Sequence, residues 1–149
     1  KIIYECNRFD LKSKKALARE QKYYLADLSL YFSTNTNNSF NYGPSLENMV
    51  YLYLVSNGYQ VSVGKIGNLE CDFIVRKLDG DYAYIQVTYS LSAGDSKTNE
   101  KIKEREYRPF RSIRDGYPRY ILSLDRFRDY QEGVHHLNAM DVFLGKEKI

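Results

Sequence analysis

The sequence predicts an α/β fold, a mixed β-sheet core flanked by helices. Three observations carry that expectation: a run of helix formers from Leu46 to Ser56 stopped at Asn57-Gly58, three strand-like runs joined by turn dipeptides, and a charge-rich amphipathic stretch followed by further strand-like runs. At 149 residues the chain is long enough for one domain with a real core and too short for two comfortable ones. Hydrophobic residues at 43% and charged residues at 28% place it among ordinary globular chains, and fifteen tyrosines without a tryptophan imply many half-buried rings with one polar tip.

Taken in order, Ile2, Ile3 and Tyr4 suit a short strand. Ala16, Leu17, Tyr23, Tyr24, Leu25 and Leu28 then suggest helix with extended interruptions. The polar stretch from Ser33 to Asn41 reads as a loop or connection, so residues 1–41 are expected to be an N-terminal arm and linker, and 42–149 the main domain.

Gly43-Pro44-Ser45 supplies a turn and an early helical proline before the Leu46 to Ser56 run, with Leu46, Val50, Tyr53 and Leu54 on one stripe and Glu47 at its edge. Tyr59 to Lys65, Leu69 to Leu78 and Tyr82 to Tyr89 are strands joined by turns at Gly67-Asn68 and Asp79-Gly80. Strict alternation places Leu69, Cys71, Phe73 and Val75 on one face of the second strand, and Glu70, Asp72, Ile74 and Arg76 on the other. In the third, Tyr82, Tyr84, Gln86 and Thr88 share a face. Ser96 to Arg114 reads as an amphipathic helix broken or bent near Pro109, with Ile102, Glu106, Phe110 and Ile113 recurring at helical spacing. Pro118 to Leu124 and Val134 to Leu137 read as strands, and Ala139 to Leu144 as a closing helical turn.

Net charge is +3, unevenly spread: Lys97 to Asp129 holds ten basic and six acidic residues, Tyr31 to Ser96 three and six. Such a balance permits nucleic acid as a partner without demanding it. No run approaches the eighteen or so apolar residues of a membrane helix, so no membrane partner is expected. Cys6 and Cys71 lie far apart without a paired ligand spacing, which supports neither a disulfide framework nor a zinc site and favours a reducing, cytoplasmic setting. With Lys1 first and no apolar leader, the chain is expected to be a fragment of something longer.

Three oxygens from adjacent elements stand out as candidate metal ligands: Glu47 from a helix, Asp72 from mid-strand and Gln86 from the next strand. A nuclease centre needs two or three such oxygens to hold Mg²⁺ at the scissile phosphate, and a lysine to orient the attacking water. Lys65 is the candidate ammonium on a neighbouring strand. Lys101, Arg105, Arg108 and Arg111 on the amphipathic helix are the candidate nucleic-acid contacts. His135-His136 reads as an exposed strand end rather than a catalytic pair. There is no Gly-x-x-x-x-Gly-Lys-Ser/Thr loop and no Gly-x-Ser-x-Gly elbow, which excludes this segment as the ATP-hydrolysing part and gives no support for acyl chemistry.

Gly43-Pro44-Ser45-Leu46-Glu47-Asn48, Asn57-Gly58-Tyr59, Gly64-Lys65, Glu70-Cys71-Asp72-Phe73-Ile74 and Tyr84-Ile85-Gln86-Val87-Thr88-Tyr89 occur in fixed order, followed by Arg105-Glu106, Ile113 to Tyr120 and Leu124-Asp125. Together they resemble the uncharacterised C-terminal family of archaeal and bacterial AAA-type ATPases, from about Lys22 to Leu144. The resemblance implies a domain similar to the PD-(D/E)xK, restriction-endonuclease-like nuclease fold, preceded by an ATPase module and a winged-helix segment. It implies that Glu47, Asp72 and Gln86 occupy metal-binding positions, that ATP is bound only upstream, and that the upstream ATPase module is a partner. The departure is at the last motif: an active nuclease reads acidic-x-Lys where this chain reads Gln86-Val87-Thr88. That implies a degenerate site and a non-catalytic docking or regulatory module. A Mg²⁺-dependent DNA-processing nuclease, and a nucleic-acid-binding module without cleavage, stand as the alternatives.

Overall fold

A computed structural model describes residues 2–34 and 42–149, the side chains of residues 18–20 excepted. The order is β1 (Ile3–Asp10), β2 (Lys15–Leu25), α1 (Ser29–Thr34), α2 (Tyr42–Ser56), β3 (Gln60–Ile66), β4 (Leu69–Arg76), β5 (Tyr82–Val87), α3 (Ser96–Arg111), β6 (Arg119–Ser123), β7 (Asp129–Gln131), β8 (Val134–Asn138) and α4 (Ala139–Phe143). Among the described residues the strands form one eight-stranded mixed sheet, ordered β2-β1-β3-β4-β5-β6-β8-β7. The α/β class expected from the sequence is the class observed.

The meander from β3 to β5 is antiparallel, and its turn glycines Gly67 and Gly80 adopt φ of 63° and 93°, a region that costs glycine least. From β5 the chain crosses over through α3 to β6, which pairs parallel to β5, and β8 then pairs parallel to β6. Two apolar clusters sandwich the sheet. Leu46, Val50, Tyr51 and Leu54 of α2 join Phe73, Val75, Ala83, Ile85 and Leu122 on one side. Tyr107 and Phe110 of α3 join Cys71, Ile74, Tyr84 and Ile121 on the other.

The N-terminal segment, read as an arm, contributes β1 and β2 to the same sheet. Residues read as interrupted helix form β2, paired antiparallel with β1, and β1 pairs parallel with β3 through Arg8↔Val63 to Asp10↔Lys65. Cys6 and Tyr24 lie in the same core as α2, with the Tyr24 ring stacked 4.2 Å from Tyr51. Tertiary burial of alternating Cys6 and Tyr24 thus overrides a weak helical pattern. Of the polar stretch read as a loop, Ser33 and Thr34 finish α1, and 35–41 lie outside the described residues.

Strict alternation also fails in β4. Ser62 pairs with Ile74 and Gly64 with Cys71, so two steps along β3 meet three along β4, and Asp72 and Phe73 together face Val63. This is a β-bulge, which shifts the phase of the strand. Cys71 therefore joins Ile74 on the α3 side, whereas Phe73 and Val75 face α2. Gly64 lies beside the bulge: a Cβ there would stand 3.0 Å from both Cys71 Cβ and Ile74 Cγ1.

The helix α3 is capped by Asp95, whose side chain accepts from Thr98 N at 2.8 Å, and it runs unbroken through Pro109 to Arg111. The proline sits in the last turn, where the helix is already ending, so it marks the terminus rather than a break. A strand that the sequence reading lacked, β7, forms a short exposed edge.

Candidate functional site

A cavity of about 900 Å³ opens between the first turn of α2, the start of β4, the end of β5 and one side of α3. Glu47, Asp72 and Gln86 all line it, along with Glu70 and Glu106. The bulge is what re-aims Asp72 toward this space. Asp72 and Gln86 grip each other's strands where the β4–β5 ladder stops. Asp72 N–H donates to Gln86 Oε1 at 2.6 Å, and Val87 N–H donates to Asp72 Oδ2 at 2.8 Å. At its other end the Gln86 amide donates to Glu106 Oε2 at 3.2 Å.

The cation at these acids is one the sequence reading did not single out. Lys22, from β2, places its Nζ 3.1 Å from Glu47 Oε1 and 2.5 Å from Glu70 Oε1. Tyr24 OH donates to the same Glu47 oxygen at 2.7 Å. Arg8 reaches Glu70 Oε2 at 2.5 Å, and Arg105 donates through Nε and Nη2 to Glu106 Oε1 at 2.8 and 2.6 Å. Burial works against the Lys22 charge, but the nearby carboxylates of Glu47, Glu70 and Asp72 outweigh it and hold the ammonium above its ordinary range. Asp72 is raised, chiefly by burial and then by the charge of Glu47. Burial likewise raises Glu106, against the opposing pull of Arg105.

Lys65 does not line the cavity. It lies in β3, in register with Asp10 of β1 and Glu70 of β4. Lys101, Arg105 and Arg108 line the α3 wall, but Arg111 turns away and is held by Glu104 and Glu132, each at 2.7 Å. Of the histidine pair, His135 is exposed, whereas His136 is fully buried against Ser123 rather than forming an exposed strand end. Thr88, two residues beyond Gln86, is buried.

A divalent cation needs several oxygens free to turn toward one point. Here Gln86 Oε1, Asp72 Oδ2 and Glu47 Oε1 each already accept from a protein donor. Among the described residues no group of three or more His, Cys, Asp or Glu side chains is disposed to hold a metal ion. Glu47, Asp72 and Gln86 share one cavity, in which one oxygen of each is already engaged by a protein donor.

Sequence reasoning missed Lys22, Tyr24, Glu70 and Glu106. For Glu106 a signal existed: a carboxylate inside the apolar stripe Ile102, Glu106, Phe110 is either buried and paired or a defect. For Lys22 and Tyr24 there was none, because their segment read as helix.

Fold and site together define a mixed α/β domain with an acidic cavity between α2 and α3 at the ends of β4 and β5, the carboxylates of Glu47, Glu70 and Glu106 paired with protein cations. An uncharacterized protein of Haemophilus influenzae is 29% identical to this chain over 144 residues. The match covers 96% of this chain and 34% of that protein, so the chain spans about a third of the relative's length. No family profile matches the sequence, and no solved structure matches the fold.

Proposed function

We propose that this chain is an accessory domain of a larger ATPase, built on a restriction-endonuclease-like core whose site has lost its catalytic parts, and that it serves for docking or regulation rather than cleavage. One observation carries the reading. The position that would bear an acid is Gln86, its amide tied at both ends to Asp72 N and Glu106, and the position that would bear a lysine is the buried Thr88. An amide so held cannot turn freely toward an ion, and a buried hydroxyl cannot act as an ammonium. The element order supports the core assignment: a helix bearing Glu47, an antiparallel meander bearing Asp72 and Gln86, and a parallel crossover. The relative, of which this chain covers 34%, fits a domain embedded in a longer protein. The buried free thiols Cys6 and Cys71 suit a cytoplasmic setting, and among the described residues no helix is long and apolar enough to cross a membrane.

Copurification and crosslinking with the upstream ATPase segment test the proposal, alongside cleavage assays on plasmid, single-stranded and branched DNA with Mg²⁺ or Mn²⁺. Association without cleavage is expected. Cleavage that disappears in Asp72→Ala would replace this reading with the nuclease. The second reading, nucleic-acid binding without cleavage, is favoured by Lys101, Arg105 and Arg108 lining one wall of the cavity. A binding titration whose affinity does not fall with salt removes it.

A further inference from the structure

We propose that the Lys22 ammonium, reaching Glu47 and Glu70 from the recess beside β2 that adjoins this cavity, is the resident cation of these two acids, so that the intact domain excludes divalent ions from them. The pairing of charges makes the case. Glu47 faces Lys22, Glu70 faces Lys22 and Arg8, and Glu106 faces Arg105. Of the four acids Glu47, Glu70, Asp72 and Glu106, Asp72 alone has no ion partner in contact among the described residues; its Oδ2 accepts from Val87 N–H instead. Glu47, Glu70 and Glu106 are thus already met by protein cations, with which a divalent ion would have to compete.

Position supports the same assignment. Lys22 is carried by a strand, in register with Cys6 of β1, so its stem starts from a fixed backbone. Tyr24, two positions further along the strand, donates its hydroxyl to the same Glu47 oxygen. An ion taking Glu47 Oε1 or Glu70 Oε1 would have to displace charge-assisted bonds at 3.1 and 2.5 Å. The inference concerns the same cavity as the docking proposal but fails separately: loss of association with an ATPase module says nothing about ion exclusion, and ion uptake says nothing about association.

The test is Mn²⁺ binding, read by isothermal titration and by the shift of the melting temperature, in the intact chain, Lys22→Met, Lys22→Gln and the double variant Lys22→Met with Glu47→Gln. The intact chain is expected to take up no Mn²⁺ below about 1 mM, the weak end of protein cation sites. Both neutral variants are expected to bind at least roughly tenfold more tightly than the intact chain and to melt higher with Mn²⁺ present, and the Glu47→Gln change is expected to reverse much of that gain. Should the neutral variants be unfolded alone, refolding on addition of Mn²⁺ is the same result in another form. Uptake by the intact chain as tight as by Lys22→Met overturns the proposal. So do neutral variants that take up no ion when folded, or that stay unfolded with Mn²⁺.

Discussion

Asp72 and Gln86 exchange side-chain bonds across the end of the β4–β5 ladder: Gln86 Oε1 accepts Asp72 N–H at 2.6 Å, while Asp72 Oδ2 accepts the N–H of the next residue, Val87, at 2.8 Å. The two side chains thus replace main-chain acceptors that the bulge has moved out of reach, and each strand's terminal N–H stays paired. Gln86→Glu keeps the shape but places a third carboxylate against Asp72 and Glu106 and removes the donor to Glu106. A loss of about 2 kcal/mol is expected, seen as a lower urea midpoint at neutral pH. Asp72→Asn keeps an acceptor for Val87 without the charge, and stability within about 0.5 kcal/mol of the parent is expected. A Gln86→Glu protein as stable as its parent would mean the amide is incidental.

The edge strand β2 is fastened by Asn48 of α2. Its side chain is buried and accepts from Leu25 N at 2.8 Å while donating to Leu25 O at 2.9 Å, so one amide occupies both main-chain groups of a strand residue. Asn48→Ala leaves both of them unpaired next to the helix and is expected to cost about 2–3 kcal/mol. Asn48→Asp loses the donor and buries a charge, and is expected to cost more. Because β2 also carries Lys22, amide exchange at Tyr23 to Leu25 should rise before exchange in β4. Uniform exchange across both strands would place the fastening elsewhere.

These two cases show what the sequence could and could not convey. The meander was legible because Gly67-Asn68 and Asp79-Gly80 are local turn signals and the intervening runs alternate. Asp72 and Gln86 could be placed near each other on that basis. The bulge was not legible: it arises where Gly64 lets β4 pack closely, and nothing in Glu70-Cys71-Asp72-Phe73 marks an extra residue. The strand β2 was hidden because Ala16, Leu17, Tyr23 and Tyr24 fit a helical spacing as well as an extended one, and only pairing with β1 decides between them. The cation on Glu47 and Glu70, Lys22, was lost with that strand.

Helix α3 contains basic residues in two different situations. Lys101 and Arg108 line the cavity and are exposed, whereas Arg111 is clamped by Glu104 of its own helix and Glu132 beyond β7. If the domain binds nucleic acid, Lys101→Ala and Arg108→Ala should each weaken binding across all sequences and reduce the slope of affinity against salt by about one counterion. Arg111→Ala should leave that slope unchanged. Fluorescence anisotropy with a labelled oligonucleotide at several salt concentrations separates the two, and equal losses at Arg108 and Arg111 would put the contact surface off the cavity.

A buried polar cluster beside the ends of β6 and β8 sets the domain's response to acid. His136 Nε2 lies 2.7 Å from Ser123 Oγ, which lies 3.2 Å from Asp125 Oδ2, and His136 Nδ1 is buried without a hydrogen-bond partner among the described residues. These contacts fit the tautomer in which Nε2–H donates to Ser123 and Ser123 donates to Asp125, leaving a bare acceptor at Nδ1. A second proton would then sit on Nδ1 with nothing to receive it. Burial lowers the His136 pKa below 6.5, as does the charge of Lys103, against the weaker opposing pull of Asp125 and Asp129. The unfolded chain therefore takes up the proton first: stability is full above about 6.5 and declines as pH falls toward the lower folded value. Burial would raise Asp125, but bonds from Ser90, Leu91, Ser92 and Ser123 outweigh it and hold its pKa down. Its contribution persists above about 3.8 and is lost only as pH falls through the lower folded value. The raised carboxyls of Asp72 and Glu106 gain stability as pH falls over part of the same range, so the His136 contribution is read as the difference between parent and variant. In His136→Gln, where an amide can still donate to Ser123, the urea midpoint should rise relative to the parent's as pH falls from 7 to 5, while the fall at pH values below about 3.8 remains. A variant that keeps the full slope between pH 7 and 5 would assign the acid response to some group other than this imidazole.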